Sequence, residues 1–115
     1  MGQLFYGSSR ESIPVPDLSL AYLQAVTVAK LRRSEAFFVS WRSPHDTSGP
    51  RSHLWLHPAI PLRFVISTGG IRLESAIVEQ LMRTAATSAS GIDLDTIPSH
   101  PAHDPAYLRA EARGS

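Results

Sequence analysis

The stretch Asp17 to Trp41, DLSLAYLQAVTVAKLRRSEAFFVSW, followed after a polar loop by Ser52 to Pro58, SHLWLHP, decides the fold. Asp17 is a favoured N-cap residue, and the run from about Leu18 to Arg33 ends with Lys30, Arg32 and Arg33, where cations meet the negative end of a helix dipole. Around the helix, Leu20, Leu23 and Leu31 form one stripe, while Leu18, Tyr22, Ala25, Val26 and Ala29 occupy much of the other side. A helix that is apolar nearly all round cannot rest on one sheet with its back in water. The second helix, the tail or another subunit must cover it. At Ala36 the period changes to two: Phe37, Val39 and Trp41 face one way, and Ala36, Phe38 and Ser40 the other. His53, Trp55 and His57 alternate with Leu54 and Leu56 in a further strand.

Working outward, Leu4 and Tyr6 alternate with Gln3 and Phe5, and a turn-rich Gly7 to Arg10 leads to Ile13 and Val15, which reads as a β-hairpin. Pro14 and Pro16 remove ladder donors, so its second arm belongs at an edge. Ser43 to Arg51 is an exposed loop, and Pro58 to Pro61 turns the chain into Leu62, Phe64 and Ile66. These strands are expected to be antiparallel neighbours, because no connection between them is long enough for a crossover. Thr68, Gly69 and Gly70 break the chain before an amphipathic helix from about Glu74 to Ala89, with Ile77, Val78, Leu81, Met82 and Ala85 inward. Ser90 and Gly91 stop it, and Ile92 and Leu94 add a short strand. The order ββ-α-βββ-α-β predicts an α+β domain over residues 1–96, an antiparallel sheet of four to six strands packed with two helices. Residues 97–115 carry Pro98, Pro101, Pro105, His100 and His103, with only Tyr107 and Leu108 as anchors, and are expected to be a disordered tail.

Composition narrows function mainly by exclusion. A chain of 115 residues with 43% apolar content supports one core, and a net charge of +1 creates no global field for nucleic acid or anionic lipid. The absence of cysteine removes disulfide and thiolate chemistry, and neither a leader pattern nor a membrane span is visible, so a cytoplasmic protein without membrane partners is expected. The opening Met1-Gly2 resembles an acylation site, but Tyr6 stands where that pattern needs Ser or Thr.

The candidate chemistry is sparse. His53 and His57, four apart on a strand, lie about 13 Å from each other and cannot share an ion. His100, His103 and Asp104 are closer in sequence but lack a second ordered ligand set. His45-Asp46 lies in a loop, and adjacent residues rarely align as base and orienter. Asp93 and Asp95 read as a solvated strand edge, and Ser67-Thr68-Gly69-Gly70 lacks the lysine spacing of a P-loop. No catalytic residue, metal site or cofactor is therefore expected. Nucleic-acid binding has a fuller set: Trp41 and Trp55 to stack on bases, and Lys30, Arg32, Arg33, Arg42 and Arg51 to contact phosphates. Ten arginines against one lysine is also what a high-G+C coding sequence produces.

The segments MGQLFYG, LAYLQAVTVAKLRR, SEAFFVSW and SHLWLHP, in this order, resemble a family of small uncharacterised actinobacterial proteins, over approximately Met1 to Gly91. Members are often labelled ATP-dependent DNA ligase, so the resemblance implies ligase activity or a role beside a ligase. Adenylation requires a lysine nucleophile in a Lys-x-Asp-Gly setting within a larger nucleotide-binding domain. Lys30 is the only lysine, and Leu31, Arg32 and Arg33 follow it.

The expected function is a small non-enzymatic binding or assembly module that meets a protein partner or a second copy of itself. The alternative is a nucleic-acid-binding or ligase-associated accessory protein. Buried indoles at Trp41 and Trp55 favour the first, and a shared exposed platform ringed by arginines favours the second. If the second helix docks as its pattern requires, Leu81→Ala costs about 2 to 5 kcal/mol in urea unfolding.

Overall fold

The N-terminal alternation forms two antiparallel strands, β1 (Gly2–Tyr6) and β2 (Ser12–Val15), with Gly2 opposite Val15 and Phe5 opposite Ser12. Pro14, which has no N–H to give, is exposed on β2, and β2 is an edge strand, as the prolines require. The structure, a computed structural model, describes residues 1–8, 10–42 and 51–100. Of the loop predicted over Ser43 to Arg51, residues 43–50, with His45-Asp46, lie outside the described residues and Arg51 opens a strand; of the tail predicted over 97–115, residues 101–115 lie outside them.

Helix α1 (Asp17–Arg32) begins one residue earlier than the sequence predicts. Pro16 takes the N-cap position and its carbonyl accepts from Leu20 N–H, so Asp17 does not cap the helix. Its carboxylate sits in the first turn, where the dipole favours it, and reaches out to another segment. The turn after α1 closes through Ser34, whose φ of 59° lies in the left-handed region, and Glu35 N–H donates back to Lys30 O at 3.0 Å. That turn delivers the chain to β3 (Phe37–Arg42), followed by β4 (Arg51–Leu56) and β5 (Leu62–Val65).

The α+β class and the element order match the sequence reading, but the six strands divide between two sheets, ordered β2-β1-β5 and β4-β3-β6. After β4, His57 lies outside the strand and its Nδ1 accepts from Ala59 N–H in the turn. With Pro58 and Pro61 in that link, the chain cannot continue a ladder against β4. It swings to β1 instead, where Tyr6 pairs with Leu62 and Gly7 N–H donates to Pro61 O. Helix α2 (Ser75–Thr87) then carries the chain to β6 (Ile92–Asp93), which lies parallel to β3, and a 3₁₀ turn follows over Leu94–Thr96. The sequence predicts one antiparallel sheet, and β6 departs from it. Between β3 and β6 the intervening α2 supplies the length that a parallel crossover needs.

The core lies around α1, with Leu20, Leu23 and Val26 fully buried together with Leu4 of β1, Val39 of β3 and Leu56 of β4. Helix α2 packs on α1, β3 and β6, burying Leu81 and placing Ile77, Val78, Met82 and Ala85 against the core, the face its periodicity marks. Ile97 is also buried, and Ser19 Oγ donates to Pro98 O at 3.0 Å, so the chain stays bound to α1 slightly beyond the predicted end of the domain.

Two glycines permit close approaches. Gly2 is buried where a side chain would meet Leu20, Asp17 and the Val65 carbonyl, which explains its place in the chain without any lipid attachment. Gly91, with φ of 71°, sits against the Phe38 backbone and feeds β6 into the sheet. Gly91→Ala would destabilise the protein by about 1 to 3 kcal/mol from the positive φ alone, with the steric overlap on Phe38 adding to it, as read from urea midpoints.

Candidate functional site

The seven residues proposed from sequence to bind nucleic acid do not converge. Lys30 is 6% exposed and its Nζ donates to Glu35 Oε2 at 2.9 Å, so it is part of the turn after α1 rather than a solvated cation. That hydrogen bond holds the Glu35 carboxyl below the usual carboxylate range. Arg32 and Arg33 are exposed at the same end of α1, beside the start of β3. Arg42 and Arg51 pair at the opposite end of β3, about 16 Å along the strand. Arg51 is held there by Asp93 at 2.8 Å, Asp95 at 3.7 Å and the Ser40 hydroxyl at 2.9 Å, and Arg42 N–H donates to Asp95. Asp93 and Asp95 therefore anchor β6 and the 3₁₀ turn to β3 and β4, instead of forming a solvated edge.

The tryptophans face opposite ways. Trp55 pairs with Phe38 and Trp41 with Ser52, and those two pairs fall on opposite faces of the sheet. Trp41 is partly buried against the core, whereas Trp55, 43% exposed, tilts on Phe38 at a centroid distance of 4.6 Å. The Trp55 carbonyl accepts from the Tyr6 hydroxyl at 2.7 Å, which ties the two sheets together. His53 is exposed on β4, and among the described residues no three His, Cys, Asp or Glu side chains gather as a metal site.

A concavity lies at the N-terminal end of α1. Asp17 Oδ1 accepts from Ser67 N–H at 3.1 Å and Oδ2 from the Thr68 hydroxyl at 2.8 Å, with the N-terminal ammonium 3.7 Å away. The Thr68 and Ser67 donors, followed by that ammonium, hold the Asp17 carboxyl below its ordinary value of 3.8. Ser67 and Thr68 are thereby committed to a carboxylate of the protein itself, and the glycine turn precedes α2 by several residues, so it does not cradle phosphate. A cleft of ≈ 720 Å³ opens beside it, walled by Leu18, Tyr22, Ile71, Leu73 and Ser99, and the Tyr22 hydroxyl accepts from Glu74 N–H.

The cleft continues as a trough along α1. A second depression shares Thr68, Ile71 and Leu73 with the cleft and reaches Ala21, Ala25, Val28 and Ile66. A third shares Gln24 and Val28 with the second and runs on to Leu31, Leu62 and Phe64. From Leu18 to Leu31 the trough is about 20 Å long at 1.5 Å per residue. Val28, 42% exposed, stands at its middle, and Leu73, 36% exposed, on its rim. Its charges lie at the two ends, Asp17, Arg72 and Glu74 at one and Arg32 at the other. The sequence shows α1 to be apolar all round without showing which strip remains open. The available signal is Ala21, Ala25 and Val28 at helical spacing, small side chains that leave a helix face accessible.

These features define a small α+β domain with an apolar trough along one face of a helix. Residues 1–96 match the family described as Domain of unknown function (DUF7882), and the chain belongs to that family. No curated protein and no solved structure matches it. Among the described residues, no helix is long and apolar enough to cross a membrane.

A carboxyl with a depressed folded pKa stabilises above its unfolded value, and that contribution disappears as pH falls through the folded value. Asp17→Asn is therefore expected to lower the urea midpoint at neutral pH. The gap to wild type should close as pH is lowered through the carboxylate range, about 4 to 2.

Proposed function

We propose that this domain is a non-enzymatic assembly module that pairs with a second copy of itself through the α1 trough. The observation that carries this reading is Val28, exposed in the centre of an apolar depression edged by Ala21, Ala25, Ile66 and Leu73. In an isologous antiparallel arrangement, Val28 of each copy enters the depression of the other, and the small side chains let the helices approach. The charges agree with that geometry. The N-terminal end of α1 in one copy, where Arg72 stands with Asp17 and Glu74, meets the Arg32 end in the other, so the helix dipoles oppose favourably. A trough about 20 Å long and one helix diameter, about 10 Å, wide offers on the order of 200 Å² against the ~800 Å² per partner typical of stable complexes, so the pairing is weak, with a Kd of about 10⁻⁴ M.

The nucleic-acid and ligase-associated alternative needs stacking rings and cations on one surface. Trp55 and Arg42 are exposed, but Trp41 faces the core, Arg51 is ion-paired and Lys30 is buried. Lys30, paired with Glu35, also has no access to a nucleotide.

Sedimentation velocity from about 10 to 500 µM, bracketing that Kd, tests the reading. Wild type and Trp55→Ser should dimerise alike, while Val28→Asp, at an exposed position, should remain folded and monomeric. A wild type that stays monomeric throughout, with salt-dependent binding to a single-stranded oligonucleotide that Trp55→Ser abolishes, would put the alternative in its place.

A further inference from the structure

We infer that residues 101–115 of this chain dock in cis in the trough and compete with the second copy, a regulation that rests on the trough being the assembly surface. The point of exit supports it first. Ser19 Oγ, on α1, holds the carbonyl of Pro98, Ile97 is buried, and Ser99 is part of the wall of the ≈ 720 Å³ cleft that heads the trough. The described chain is thus fastened to α1 and reaches the mouth of the apolar trough along that helix.

Reach and composition supply the second argument. Tyr107 and Leu108 are the only large apolar side chains in 101–115, and Asp104 and Glu111 balance Arg109 and Arg113. Eight residues separate Ser99 from Tyr107, a span of at most about 28 Å, longer than the trough at about 20 Å. Both anchors can therefore reach the cleft between Leu18, Tyr22 and Leu73 or the depression at Val28. A neutral segment meets no electrostatic barrier at a channel whose charges are confined to its ends.

Energetics make competition, rather than permanent closure, the expected result. Tethering through a short linker gives the tail an effective concentration on the order of millimolar, so two side chains suffice for partial occupancy. A second copy binding with a Kd of about 10⁻⁴ M displaces it as protein concentration rises. The family match ends at residue 96, before the segment 101–115.

The full chain, free of cysteine, allows one spin label at Ala110→Cys. Paramagnetic broadening should concentrate on the methyl groups of Leu18, Ile71, Leu73 and Val28, persist on dilution below the dimer range, and disappear in Leu73→Asp. In sedimentation, Tyr107→Ser combined with Leu108→Ser should tighten dimerisation two- to ten-fold. Broadening that is absent, lies on the Trp55 face, or vanishes on dilution overturns the cis docking, as does an unchanged dimer constant in the double variant. If broadening maps to the trough while Val28→Asp leaves self-association unchanged, the tail docks but the assembly reading fails. If Val28→Asp blocks association while no broadening reaches the trough, assembly stands and the docked tail does not.

Discussion

Helix α1 carries polar groups into the interior of the fold, and the structure depends on each of them finding a partner there. Ser19 reaches Pro98, Thr27 donates to Leu23 O at 2.7 Å, and Lys30 meets Glu35, so the turns at Ser19, Thr27 and Lys30 are all satisfied while buried. Among the described residues no buried side-chain nitrogen or oxygen lacks a hydrogen bond. An unpaired polar group in such surroundings costs about 1 to 3 kcal/mol, enough to decide between alternative packings. Two polar groups of the helix join it to segments far from it in sequence, Ser19 to Pro98 and Asp17 to Ser67 and Thr68. They set where α1 lies relative to everything that follows it in the chain.

Division of the strands into two sheets follows from that central position. A single sheet would cover one side of α1 and leave Leu20, Leu23 and Val26, or their opposite neighbours, partly in water. With β1 on one side and α2 bridging to β3 and β6, those three side chains are fully buried. The link containing Pro58 and Pro61 is the local device that separates β5 from β4, and the Tyr6 hydroxyl on the Trp55 carbonyl joins the two sheets across the gap. Gly91 and the Arg51, Asp93 and Asp95 cluster do the corresponding work for β6, a two-residue strand with little ladder of its own.

Among the described residues a strip of α1 at Gln24 and Val28 stays exposed, edged by β5 and by Ile71 to Leu73. It combines apolar lining, small helix residues and charges segregated to its ends, features that suit a docked protein segment better than a reacting small molecule. The exposed Trp55 and Phe38 pair forms a second, smaller apolar surface whose edge is already tied down by Tyr6.

The sequence by itself determined the class, the order of the elements, the inward face of α2 and the all-round apolar character of α1, because these depend on period, proline placement and turn chemistry within a few residues. It also determined which side chains share a strand face, so the opposed directions of Trp41 and Trp55 followed from strand register once β4 was paired with β3. Only the tertiary structure decided that the strands form two sheets, that β6 runs parallel to β3, and that Lys30 is buried on Glu35. It alone turned Asp17 from a cap into a clasp and left Val28 exposed. Apart from the Lys30–Glu35 contact, which is local in sequence, each of these depends on residues tens of positions apart meeting, and neither propensity nor periodicity carries that information: a helix apolar on every side gives no local reason for one strip rather than another to stay open.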